Sequence, residues 1–387
     1  MISSPHSDKP VILIFETSVA GHHLEYINHY YHYASSDPCS DYVFLMPKSF
    51  SELKSKFLWP QTDNVRFECI DEDDRQIMTK GNLVIGSFYK CRYLNVQCHK
   101  YKAKMIITTM LMEYFPALPF ILDKDIEFKG VLYRNPFREW RTMSYFKRMV
   151  HVVRFWQLVC SPQLKRIFLL NDAKYVGILN KRFGTTKFVL LPDPIPTMPI
   201  GVDIRNELTI PQANTVYLHM GGMGMRKGTI RILESLKSIS CTSNKTFIFA
   251  GKVGDDCRDQ FYRLVEELKD KTQIIVFDKF CEFELFSSLC RLSDCILIPY
   301  TNTNQSSGVL GYAAKFRIPV IGPNEGLLGE IISKYNLGIM VDTSEVSSIS
   351  CGIDIIRDKN SFRKQHCCFD EYVAENSIDN FVNVIMR

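Results

Sequence analysis

The sequence predicts an α/β protein made of two doubly wound, parallel-sheet units in tandem. Three observations predict it. Short, almost wholly apolar runs recur along the chain with helical stretches between them, the pattern of strands covered on both faces by crossover helices. The alternation occurs in each half, and 387 residues exceed one ordinary core but suit two. Between the halves stands LLPDPIPTMPIG, residues 190–201, with four prolines in twelve residues, an extended and semi-rigid stretch suited to a hinge.

In the first half the candidate strands are 11–15, 42–46, 105–108, 131–133 and 166–170. In the second half they are 215–220, 246–251, 273–277, 294–300, 318–322 and 338–341, with helical periodicity over 230–239, 258–268, 284–292 and 308–316. The expected domains are 1–195 and 196–368, each Rossmann-like, followed by a helix over 369–387 that packs back across the linker. Ligands of open α/β sheets sit outside the carboxyl ends of the strands. Two such units facing one another would form the site in the cleft between them.

Hydrophobic residues make up 46% of the chain and charged residues 23%, enough to bury real cores. The net charge of +5, from 47 basic and 42 acidic residues, is too small to indicate a nucleic-acid partner. Thirteen cysteines without regular spacing read as reduced thiols, and none has the spacing of a zinc site. The N-terminal MISSPHSDKP has no secretory pattern, and no apolar run reaches the ~18 residues a bilayer span needs. The expectation is a cytoplasmic protein.

Two segments carry the chemistry. HMGGMGMRKGT, residues 219–229, leaves a strand and opens a helix. Its glycines, Gly222 among them, let the backbone approach an anion, and Arg226 and Lys227 add fixed positive charge where a pyrophosphate would want it. The alternative is an ordinary turn with two solvated bases. IPYTNTNQSSG, residues 298–308, brings Asn304, Gln305, Ser306 and Ser307 to a helix that opens at Gly308. Free backbone N–H groups and the helix dipole favour a phosphate there. One such residue would suffice for capping, and four stand together. Glu330, in PNEGLLGEII, reads either as a sugar or ribose contact or as a support for its loop.

Taken in order, the glycine turn with Arg226-Lys227-Gly228, FIFAGKV with Gly251 and Lys252, the strand SDCILIPY and the segment NQSSGVLGYAAKFRIPVIGPNEGLLGEI resemble the family-four-type glycosyltransferases of the GT-B fold over about 216–341. That resemblance implies two Rossmann-like domains facing across a cleft. The first would be on the acceptor side, and the second would bind a UDP- or GDP-linked sugar. It further implies no obligatory metal or other cofactor and usually retention of anomeric configuration. It puts Lys227 on the donor diphosphate and the segment from Ser306 to Gly308 around the distal phosphate. The family has two glutamates eight residues apart in the loop-helix segment. Asn304 and Tyr312 stand at those positions here, and each keeps a polar group for a sugar or ribose hydroxyl.

In the first half the resemblance puts Gly21, His22 and His23 in the first βα loop, against phosphate or acceptor. Glu113 is the ionisable group of 106–115 where the family has a histidine. These three ionisable groups, His22, His23 and Glu113, are the catalytic candidates. A retaining transfer needs no protein base if the departing phosphate takes the proton, and the acceptor would be a glycan or a polyprenyl-linked sugar of surface polysaccharide synthesis.

FREWRTMSYFKRMVHVVRFW, residues 137–156, is basic and aromatic. Its Arg138, Trp140, Arg141, Lys147 and Arg148 read in two ways. They lie on an anionic membrane or a lipid-linked pyrophosphate at the inner membrane face, or they belong to an ordinary domain helix with solvated bases. Two other functions stay open beside the transferase: a GT-B-like chain without catalysis that activates another transferase, and a nucleotide-sugar epimerase. Two absences argue against a nicotinamide dehydrogenase: no G-x-G-x-x-G closes the first strand, and no acidic residue ends a second strand at the expected distance.

Overall fold

A computed structural model describes residues 9–19, 22–54, 59–239, 244–356 and 367–387. The chain divides into two compact units. The first is Met1–Leu191 with Ile378–Arg387, and the second is Pro192–Ser377.

The first unit is a seven-stranded parallel sheet. Its strands are β1 (Val11–Phe15), β2 (Asp41–Pro47), β3 (Val65–Ile70), β4 (Ala103–Thr108), β5 (Glu127–Leu132), β6 (Leu164–Leu170) and β7 (Phe188–Leu191), in spatial order β3-β2-β1-β4-β5-β6-β7. Its helices are α1 (His22–Ser36), α2 (Phe50–Lys54), α3 (Glu72–Thr79), α4 (Leu83–Tyr101), α5 (Leu118–Ile121), α6 (Tyr145–Cys160) and α7 (Ala173–Phe183). Successive side chains of a strand point to opposite faces. Leu13 and Phe15 therefore enter one core with Ile106, Phe128 and Phe155, and Ile12 and Ile14 enter the other with Tyr26, Tyr30 and Phe44. Helix ends follow local chemistry: the Asp172 carboxylate accepts the Tyr175 N–H to start α7, and Gly184, at φ +58°, ends it.

Two strands were absent from the sequence reading. β3 forms one edge of the sheet, where Val65, Phe67 and Cys69 alternate with Arg66 and Glu68, so no apolar run announces it. β7, at the other edge, is four residues long and abuts the first proline of the hinge stretch. The helix expected over 369–387 is two helices. Phe369–Glu375 packs Phe369 and Tyr372 into the core of the second unit. Ile378–Met386 belongs to the first, where Phe381 stacks on Tyr30 with ring centroids 5.7 Å apart.

The second unit has six parallel strands: β8 (Thr215–Met220), β9 (Lys245–Ala250), β10 (Gln273–Phe277), β11 (Cys295–Leu297), β12 (Val320–Pro323) and β13 (Gly338–Val341). Their spatial order is β10-β9-β8-β11-β12-β13. Helices α8 (Thr229–Leu236), α9 (Arg258–Leu268), α10 (Phe283–Leu292), α11 (Gly308–Lys315), α12 (Gly326–Tyr335) and α13 (Val346–Ile355) cover it. All six residues of β8 are buried, with Val216, Leu218 and Met220 in one core and Tyr217 in the other.

Both sheets reverse their winding at one place, between β1 and β4 in the first unit and between β8 and β11 in the second. The loops leaving those two strands run in opposite directions and leave a crevice at the carboxyl edge. The glycine-rich loop follows β8 and the Asn-Gln-Ser segment follows β11, so the topology of the second unit brings them side by side.

Candidate functional site

In the second unit the loop after β8 is bent by glycines at two points. Gly221 leaves the strand at φ +91°, and Gly228 opens α8 at φ +71°. A Cβ on Gly228 would lie 2.1 Å from the Pro299 carbonyl oxygen, and one on Gly251 would lie 2.0 Å from the Gly221 carbonyl oxygen. The loop is therefore packed backbone to backbone against both neighbouring strands, which only glycine permits. No atom lies within 4 Å of where a Gly222 Cβ would stand, so that glycine opens outward.

A buried chain of hydrogen bonds fixes the loop from beneath. The His219 Nδ1 lies 2.9 Å from the Leu297 carbonyl oxygen, so it carries the proton and donates. Nε2 then accepts from the Thr229 hydroxyl at 3.0 Å, and the same hydroxyl oxygen accepts the Gly224 N–H at 3.0 Å. Burial keeps His219 neutral, with its pKa pushed down to about 4. On the outer side Asp256 accepts the Met225 N–H at 3.0 Å.

Above this base, Lys227 turns toward β11. Its Nζ donates to the Tyr300 hydroxyl at 2.8 Å and stands 4.5 Å from the ring centroid. Ser307 donates to the same hydroxyl at 3.4 Å. The Thr301 N–H donates to the Arg226 carbonyl at 3.0 Å and ties the two loops together. Ser307 is the N-cap residue of α11 yet makes no side-chain cap bond, and Ser306 donates to Asp193 Oδ2 at 2.7 Å. The Asn304 N–H is held by the Asn302 side chain at 3.2 Å, and Asn304 and Gln305 are half-exposed. One cation, a buried tyrosine hydroxyl, a serine and the start of a helix thus meet at the switch point of the sheet, an arrangement that suits a phosphate group.

The other expected donor contacts disperse. Arg226 is exposed and lines a recess of about 520 Å³ with Met225, Arg231, Glu234, Gln260 and Thr301, so its side chain diverges from that of Lys227. Lys252 is exposed at the end of β9, where its carbonyl accepts the Met223 N–H at 2.9 Å. The Tyr312 ring is half-buried and lies 6.4 Å from that of Phe286. Glu330, half-buried on α12, lines a separate recess of about 520 Å³ with Asn324, Glu325, Ser333 and Lys334.

In the first unit Gly21 and the side chain of His22 lie outside the described residues. His23 stands in the first turn of α1 at the switch point. Its Nδ1 is 2.8 Å from the Thr109 hydroxyl and 3.3 Å from Glu16 Oε2. Glu16, only 2% exposed, also accepts the Thr109 N–H at 2.6 Å. The Nε2 of His23 has no hydrogen-bond partner among the described residues. A ring held at one nitrogen by a buried carboxylate is the arrangement of an oriented acid or base. Glu113 forms an ion pair with the buried Lys90.

The basic aromatic segment is split by the fold. Arg138 is buried against Asp172, with two hydrogen bonds of 2.8 and 2.7 Å, and Trp140 stacks on Phe137 beneath the Arg182 guanidinium. Arg148 donates to the Met143 and Arg141 carbonyls. These three therefore belong to the packing of the unit, whereas Arg141 and Lys147 are exposed. Among the described residues no group of histidines, cysteines and carboxylates is placed to hold a metal ion, the cysteines are free thiols, and no helix is long and apolar enough to cross a membrane.

Four residues of these constellations escaped the sequence reading as site residues: Tyr300, Asp193, Glu16 and Thr109. Tyr300 and Glu16 carried a signal, since each is a polar group directly beyond an apolar strand at the switch point. Asp193 and Thr109 carried none.

No protein-family model matches this chain, and no curated protein matches it. Solved structures do. A glycosyltransferase from Rickettsia africae matches with a TM-score of 0.67 at 12% identity, over 98% of this chain and 97% of that one. HepE from Anabaena, solved with UDP-glucose, matches with 0.67 at 14% identity over 97% and 98%. WaaG, a glycosyltransferase involved in lipopolysaccharide biosynthesis, matches with 0.66 at 14% identity over 97% and 99%. The fold is GT-B. At these identities the likeness is one of fold.

Proposed function

We propose that the protein is a glycosyltransferase that holds a nucleotide diphosphate sugar on its second unit and passes the sugar to a hydroxyl of a glycan or lipid-linked acceptor. The observation that carries this reading is the convergence of Lys227, Tyr300, Ser307 and the first turn of α11 at one switch point. Among proteins of like fold, HepE binds UDP-glucose. That favours a UDP-linked donor, with a GDP-linked one as the second choice.

In the transfer, Lys227 and the α11 N-terminus stabilise the charge that develops on the leaving diphosphate. With retention of configuration, the departing phosphate takes the acceptor proton. Of the three catalytic candidates, His23 suits contact with an acceptor hydroxyl best, because its Nδ1 is engaged and its Nε2 is not. No metal or other cofactor enters this scheme. The role in surface polysaccharide synthesis rests on the likeness to WaaG.

One observation favours a second reading. Asn304 and Tyr312 bring no carboxylate to the loop-helix segment, and the Tyr312 ring lies beside Phe286. A chain that binds a nucleotide without turnover, and activates a partner transferase, would show this. Calorimetric titration of UDP-, GDP-, ADP- and CMP-sugars separates the two. Binding of one donor, weakened by about 1–3 kcal/mol in Lys227→Ala, followed by transfer to lipid-linked sugars, supports the enzyme. Binding without turnover supports the partner reading, and no binding to any of the four removes the donor site.

A further inference from the structure

The hinge stretch sets a buried carboxylate against the segment that would hold the donor's distal phosphate. Asp193 is 8% exposed, and its Oδ2 accepts the Ser306 hydroxyl at 2.7 Å. The backbone around it is held in place. The Asp193 N–H donates to Asn376 Oδ1 at 3.1 Å, and the Ile195 N–H donates to the Asn376 carbonyl at 2.9 Å. Asn376, itself 3% exposed, is anchored to the Tyr372 carbonyl through its side-chain amide. Two residues beyond Asp193, Ile195 packs on α11, where a Cβ on Gly311 would stand 2.9 Å from its Cγ1. A carboxylate pinned in this way has little room to turn aside when an anion settles on Ser306 and the first turn of α11.

We propose that Asp193 is a specificity-determining residue of the donor site: its carboxylate disfavours the free nucleoside diphosphate relative to the nucleotide sugar, and so favours release of the spent product. The inference rests on the donor reading above. In a nucleotide sugar the distal phosphate is esterified and carries one negative charge. Transfer breaks the bond between the anomeric carbon and the bridging oxygen, and that oxygen stays on the phosphate with the electron pair. The acceptor's proton, taken up there, is then lost to solvent, because a terminal phosphate releases its last proton at about pH 6. The distal phosphate is left with a second charge. Lys227 draws this form more strongly, and Asp193 offsets that preference, since like charges within about 4–6 Å disfavour one another. Of the other titratable groups at this segment, Lys227 and Tyr300 would face both ligand forms, and the buried His219 beneath the loop stays neutral down to about pH 4.

The test is calorimetric titration of the full chain with UDP and UDP-glucose, or with the corresponding GDP pair, at about pH 7.5 and about pH 5.5. Wild type, Asp193→Asn and Asp193→Ser are compared, and the serine variant serves if the amide does not fold. At the higher pH, removing the charge should raise the affinity for the free diphosphate at least about threefold more than that for the nucleotide sugar. The difference should shrink at the lower pH, where the terminal phosphate regains its proton. A merely structural role would shift both ligands alike at both pH values. Equal shifts, or weaker binding of the free diphosphate in the variants, overturn the proposal. If the wild type binds no nucleotide, the donor reading falls and takes this inference with it. If Lys227→Ala weakens both ligands while Asp193→Asn leaves their ratio unchanged, this inference falls alone.

Discussion

The Lys227 ammonium donates a 2.8 Å hydrogen bond to the Tyr300 hydroxyl while standing 4.5 Å from the centre of its ring. One side chain after β11 therefore aims the cation of the loop after β8. Tyr300→Phe keeps the ring and removes the hydroxyl. Donor affinity should fall by about 0.5–1.5 kcal/mol, and the loss should be absent for uridine, which has no phosphate. Calorimetry with UDP-glucose, UDP and uridine measures it. An equal loss for all three ligands would mean that Tyr300 shapes the pocket and does not aim Lys227.

Two glycines of the same loop should behave oppositely. Gly228→Ala combines a positive φ with a methyl group 2.1 Å from the Pro299 carbonyl oxygen. We expect a cost of about 1–3 kcal/mol or more in unfolding free energy and loss of donor binding. Gly222→Ala meets no atom within 4 Å and should stay within about 0.5 kcal/mol of the wild type. Urea denaturation of the pair reads both.

The His219 relay sets a pH dependence whose sign is fixed by burial. The folded pKa of about 4 lies below the ordinary 6.5, so between these values the unfolded chain holds a proton that the folded chain does not. The stability tied to neutral His219 is complete above about pH 6.5 and is lost as pH falls through that window, by about 1–3 kcal/mol. Unfolding free energies at about pH 7 and pH 4.5 for wild type and His219→Gln should differ accordingly, the variant being the less acid-sensitive.

Arg138 and Asp172 are both almost wholly buried and doubly hydrogen-bonded. Asp172 also accepts from Asn135 and from the Tyr175 N–H that starts α7. Arg138→Ala should therefore cost about 3–5 kcal/mol by leaving a buried carboxylate uncompensated. Arg141→Ala, at an exposed position, should leave the thermal midpoint nearly unchanged. Calorimetric melts of the two variants distinguish a structural arginine from a surface one.

What could be read ahead of the structure follows from where the physics is local. The alternation of apolar runs and helices is written into neighbouring residues, so the two wound sheets, the strands of the second unit and the glycine loop at 221–228 were all legible. β3 was not, because an edge strand alternates polar and apolar residues and gives no run.

The candidate site divides along the same line. Residue type and position after a strand named Lys227 and the Ser306–Gly308 segment. Whether Arg226 joins Lys227, whether Glu113 is paired with Lys90, and whether Arg138 is a surface base or half of a buried ion pair depend on partners tens of residues away. The sequence by itself determined which segments form strands and helices and which loops carry anion chemistry. Only the tertiary structure decided that Tyr300 meets Lys227, that Glu16 and Thr109 orient His23, and that Asp193 meets Ser306. A side chain's role is set by what stands within about 3–4 Å of it, and in a wound parallel sheet those neighbours come from the adjacent strand, not from the adjacent residue.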